Sequence, residues 1–172
     1  MPETEPILDT VEDNRAEDIQ RTCRTLRNRL TSPVTRAALD YWLALVRGDH
    51  IPGRQHLDPA AMVPFLPHVM LMDVDREALD FRYRLVGTRV RYHLFRDPTG
   101  LWLSEIPHQK APSIIHSAMS ETARRGVPII GEVPYVGPHR EYKKVEDIQM
   151  PLARDGRTVD MLLIVVDYIL KS

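Results

Sequence analysis

The sequence predicts an α+β fold built on one antiparallel sheet. Helix-period segments fill the first third of the chain, and period-2 and strand-length apolar segments follow. The later strands come only after a helical middle, and strands split in this way argue against alternating βα units. Asp155-Gly156 supplies hairpin chemistry before the last and most apolar stretch.

The bulk numbers fit one domain. The chain has 172 residues, 43% of them apolar and 27% charged, enough for a core under a polar surface. Net charge is −1, from 23 basic and 24 acidic residues. That balance argues against nucleic acid, whose phosphates call for a basic excess, and against an anionic membrane surface. The N-terminal Met1-Pro-Glu-Thr-Glu-Pro6 is acidic and has no basic-then-apolar leader pattern. The longest apolar run, Met161 to Val166, is strand-sized. A cytoplasmic location is the expectation.

Residues 1–14 are acidic and contain proline, as a mobile arm would. From Arg15 to Leu30 the pattern is helical, and Ala16, Ile19, Cys23, Leu26 and Leu30 form a narrow apolar seam. Either this helix lies on its own domain, or the seam meets a second copy; on that second reading these five residues are the dimer-seam candidates. Ser32-Pro33 reads as a cap and first-turn proline for a helix running to Arg47 and stopping at Gly48. Val34, Ala38, Tyr41, Trp42, Leu45 and Val46 give it a broad apolar face. Asp58-Pro59 repeats the signal for a helix kept short by Pro64 and Pro67.

At His68 the period changes. Val69 to Val74 is an apolar run, and Phe81, Tyr83 and Leu85 alternate with Arg82 and Arg84. The two form a hairpin across 75–79, and Gly87 ends it. Residues 88–106 suit short helical turns. A helix is expected from Pro107 to Arg125, ended by Gly126. Then come an irregular edge strand over 128–136, a strand containing Ile148, Met150 and Leu152, and a central strand over 158–169.

Three stretches carry a family resemblance. Leu66-Pro-His-Val-Met-Leu-Met-Asp-Val74 leads into Asp80-Phe-Arg-Tyr-Arg-Leu-Val-Gly-Thr88, Arg96-Asp-Pro-Thr-Gly100 follows, and Met150-Pro-Leu-Ala-Arg-Asp-Gly-Arg-Thr-Val159 precedes the last strand. With Tyr41-Trp42 and Ile51-Pro-Gly-Arg54, they resemble the short stand-alone PAS-domain proteins of proteobacteria, over residues 33–169. The resemblance implies a five-stranded antiparallel sheet with helices crossing one face. The expected division is an arm (1–14), a helical extension (15–66) and a PAS core (67–172). The resemblance also implies a sensory or regulatory role through homodimerisation and contact with a regulatory protein, without turnover.

The chemistry-bearing residues fit that expectation. Cys23, the single cysteine, lies outside the resemblance, so covalent flavin chemistry of the photoreceptor type is excluded and no cofactor is required. Haem-binding PAS domains use a histidine on the long helix, where His108 and His116 stand, with His93 just before; the competing reading is ordinary, partly exposed histidines. The seven histidines show no HxH or HxxxH pair for zinc. No nucleophile elbow or phosphate loop appears, and the carboxylate pairs Asp73/Asp75 and Glu146/Asp147 read as solvated charge.

PAS domains enclose a small cavity between sheet and helical middle. By position its candidate lining is Tyr83, Tyr92, Trp102, Ile115, His116, Met119, Ile148 and Met150. The competing reading is that these side chains fill a solid core. Arg84 is either a sheet-surface charge or half of a pair beneath the N-terminal helices. The leading expectation is a non-enzymatic sensory module. The alternatives are a receptor for a small molecule or cofactor (haem or flavin) and, third, an isomerase- or dehydratase-like enzyme.

Overall fold

A computed structural model of the chain describes residues 8–171. Helix α1 runs from Leu8 to Arg29 and α2 from Pro33 to Leu45. The hairpin is β1 (Val69–Asp75) and β2 (Asp80–Val86), followed by the short α3 (Thr88–Tyr92). Helix α4 (Ile114–Arg125) precedes β3 (Ile129–Ile130), β4 (Tyr142–Leu152) and β5 (Met161–Leu170). One five-stranded antiparallel sheet results, in the order β2-β1-β5-β4-β3. This is the α+β PAS architecture, with the apolar β5 between β1 and β4.

Local chemistry fixes the ends. Ser32 caps α2, its Oγ accepting the Val34 N–H at 3.0 Å, with Pro33 in the first turn. Ser113 caps α4 through the His116 N–H at 3.0 Å, and Gly126, at φ 65°, closes it. The sequence pattern places the start of that helix at Pro107, but Pro107 and Pro112 keep the residues before Ile114 in turns. The short helix expected at Pro59 is a series of turns. Asp58 does cap it, its Oδ1 accepting the Ala60 N–H, but Pro64 and Pro67 prevent propagation. The irregular edge strand contracts to Ile129–Ile130. Of the expected arm, residues 1–7 lie outside the described residues, and 8–14 are the first turns of α1.

The sheet is covered on both faces, where the resemblance implied helices on one. Alternation along β4 and β5 sends Glu146, Ile148, Met150, Leu163, Val165 and Asp167 to one side and Asp147, Gln149, Ile164, Val166 and Tyr168 to the other. Helix α2 covers the first side. Trp42, fully buried, donates its Nε1–H to the Pro151 carbonyl at 2.8 Å. Thr35 Oγ1 donates to Glu146 at 2.6 Å and Ser32 Oγ to Asp167 at 2.6 Å. Helices α3 and α4 and the segment 131–141 cover the second side. Core residues from Ile19 to Val166 form one continuous cluster, so the N-terminal helices share the core of the sheet.

This packing corrects the dimer-seam reading. Ile19, Cys23, Leu26 and Leu30 are at most 7% exposed within one chain, and Ala16 is half-buried. The seam is spent on the chain's own core, and α1 is tied to α2 by a bidentate Arg27–Asp40 pair at 2.8 and 3.2 Å. Arg84 is an exposed sheet-surface charge, 4.0 Å from Asp73; Arg82 takes that carboxylate, at 2.8 Å.

Candidate ligand site

Between the second face of the sheet and its helical cover lies a cavity of about 650 Å³. Met70, Tyr83, Ile164 and Val166 rise from the sheet floor, Ile115 and Met119 come from α4, and Val133 to Gly137 close one side. A space of this size is in the range of about 300–1,000 Å³ typical of small-molecule sites.

Two buried polar atoms in its wall lack partners among the described residues: Asp147 Oδ1 and His93 Nε2. Such atoms are expensive in a folded interior, at about 1–3 kcal/mol each. Asp147, only 3% exposed, stands in the middle of β4. Its Oδ2 accepts from Gln149 Nε2 at 3.2 Å, and the backbone N–H groups of Gly131, Glu132 and Val133 turn toward the carboxyl. Gly131 allows this approach, since a Cβ there would collide with Asp147 Oδ2. Glu132 adopts φ 53° as the chain wraps the carboxyl. Burial pushes the Asp147 carboxyl up despite these donors.

His93 follows α3 and stacks on Tyr168, with centroids 3.6 Å apart and planes 16° from parallel. Its Nδ1 meets Tyr135 Oη at 3.0 Å, and that oxygen also accepts the His139 N–H at 3.1 Å. Burial, together with the nearby Arg89 and His139, lowers the His93 pKa to about 4, so the ring is neutral at neutral pH. Tyr83 donates its hydroxyl to Gln109 Oε1 at 2.6 Å, and burial pushes its pKa up to about 12.

Of the candidate lining, Tyr83, Ile115 and Met119 face the cavity. Ile148 and Met150 lie on the opposite face, against the N-terminal helices; the intervening Asp147 and Gln149 take the positions expected of them. Tyr92 is half-exposed and stacks on His139 at 4.1 Å. Trp102 lies at the outer edge of β2 beneath the Arg82 guanidinium, 5.3 Å from it. His116 is engaged by the Leu79 carbonyl at 2.8 Å and by the Phe81 ring. His108 is exposed but belongs to the lining. Cys23 does not, and burial pushes its thiol up to about 12. Among the described residues no cluster of His, Cys, Asp and Glu is arranged to hold a metal ion.

By residue type alone Asp147 reads as solvated charge, because a carboxylate in a strand is expected to face solvent. The signal that could have found it is the parity of β4. If Ile148 and Met150 pack under the N-terminal helices, Asp147 and Gln149 must face the other way. The carboxylate pair also separates. Glu146, on the α2 side, accepts from Thr31 N, Ser32 N, Thr31 Oγ1 and Thr35 Oγ1. Burial raises its pKa, and these bonds outweigh burial to hold it below the usual carboxylate range.

A family model described as a PAS domain matches residues 30–165, and the chain belongs to that family. PAS domains are generally sensory, non-enzymatic modules that often mediate protein contacts. No curated protein and no solved structure matches the chain. No helix among the described residues is long and apolar enough to cross a membrane.

Proposed function

We propose that this protein is a non-enzymatic sensory module that binds a small molecule in the cavity and reports its presence to a regulatory protein. The observation that carries this reading is the conjunction of a largely apolar 650 Å³ space with two buried, unpartnered polar atoms in its wall. A solid core would leave no space of this size. Membership of the PAS family supports the sensory role. The partner contact falls outside the Ile19–Leu30 seam, which the core already occupies.

The test is native mass spectrometry of protein isolated from its own host, with thermal-shift measurements using a neutral apolar probe such as indole. A bound small molecule, or an indole-dependent rise in melting temperature, supports the reading. Protein that is empty from the host and indifferent to indole would sink it. Substituting Met119→Trp fills the cavity from α4 and should abolish any indole shift while leaving the far-UV spectrum intact.

A further inference from the structure

Resting on that reading, the inference concerns the ligand's chemistry. Asp147 is a carboxyl group inside an apolar chamber with no cation within ion-pair distance among the described residues. Its Oδ2 takes Gln149 at 3.2 Å, while Oδ1 takes nothing. The groups around it are donors: the Gln149 amide and the backbone N–H groups of 131–133. These donors favour the ionised carboxylate, but burial outweighs them and keeps the Asp147 pKa raised. What the arrangement lacks is a positive charge. The other titratable or charged groups on the cavity wall are Tyr83, His93, Arg96, His108, Tyr135 and Tyr168. Arg96 and His108 are exposed, and His93 is buried and neutral. None supplies a counter-charge at Asp147.

We propose that the ligand is a compact, mostly apolar molecule bearing one protonated amine, which pairs with Asp147 Oδ1. The ammonium group supplies the charge that the carboxylate lacks and replaces its own lost hydration with hydrogen bonds. The apolar body lies against Met70, Ile115, Met119 and Ile164.

A matched probe series tests this by calorimetry on the full chain: tryptamine, the alcohol tryptophol, the acid indole-3-acetate and unsubstituted indole. Tryptamine should bind on the order of tenfold tighter than tryptophol at neutral pH, with indole-3-acetate weakest. In Asp147→Asn that advantage should vanish while affinity for indole is kept. Should Asp147→Asn fail to fold, Asp147→Ser takes its place, and the wild-type ranking stands as a test by itself. If tryptophol or indole-3-acetate equals tryptamine, the amine is refuted and the cavity reading survives. If an amine preference persists in the folded variant, Asp147 is not its source and the proposal falls. If none of the four binds, the amine proposal falls, and native mass spectrometry of host-isolated protein decides the cavity reading separately.

Discussion

Glu146 and Asp147 are sequence neighbours in opposite environments, and changing each to its amide should move stability in opposite directions. Glu146→Gln removes a charge that accepts from Thr31, Ser32 and Thr35 at 2.6 to 3.1 Å. A hydrogen bond to a charged group is worth about 1.5–3 kcal/mol and one to a neutral group about 0.5–1.5. One amide oxygen survives and the site is partly exposed, so the expected loss is about 2 kcal/mol. In a chain of this size that is a fall in melting temperature of about 4–8 °C. Asp147→Asn keeps the shape and removes a carboxyl whose ionised form burial penalises, so it should stabilise the empty protein by about 1 kcal/mol near pH 8. The pH dependences differ in sign. The lowered Glu146 pKa contributes stability above the unfolded value of about 4.3, lost as pH falls through the folded value, so the Gln deficit shrinks in acid. The raised Asp147 pKa contributes stability below about 3.9, lost as pH rises through the folded value, so the Asn gain grows with pH. Urea midpoints at about pH 4.5 and about pH 8, with unchanged m, read both effects. If both variants lose equal stability at the higher pH, or the Asn effect is flat with pH, the assignment of the two environments is wrong.

Three further outcomes follow from the same packing. Cys23, 1% exposed with its thiol pushed up to about 12, should react with a thiol reagent on the order of a hundredfold or more slower than a free cysteine until urea unfolds the chain. His93 should titrate by NMR near its depressed value of about 4; a midpoint near the ordinary 6.5 would show that the ring is hydrated rather than buried on Tyr168. Trp42→Phe leaves the ring volume largely filled but strands the Pro151 carbonyl, and chemical denaturation should register a loss of about 2 kcal/mol.

Much of the fold was legible because strong local signals agreed with the tertiary structure. Ser32-Pro33 set the start of α2, Gly126 the end of α4, and the alternation of Phe81 and Tyr83 with Arg82 and Arg84 the inward face of β2. Boundaries slipped where proline competed with helix periodicity, at 59–66 and 107–112. The site was legible only in part. Tyr83, Ile115 and Met119 were accessible because aromatic or apolar character and element face coincide. Asp147 and Gln149 were not, since the rule that polar residues face water fails in a strand buried on both sides. The seam at Ile19–Leu30 misled for a related reason: a narrow apolar stripe looks the same whether a second copy or the chain's own sheet covers it.

The double cover of β4 also governs how its alignment with β5 is policed. In a sheet with one wet face, a strand that slips by one residue exchanges core for solvent, and hydrophobicity alone resists it. Here both faces are covered, and Ile148, Met150, Ile164 and Val165 would be content on either. The polar residues therefore act as the alignment pins. A one-residue slip would drag Glu146 away from the first turn of α2 and turn Asp147 from Gly131 toward the packed core around Trp42. The two carboxylates make the native pairing of the sheet's least distinctive strands unique.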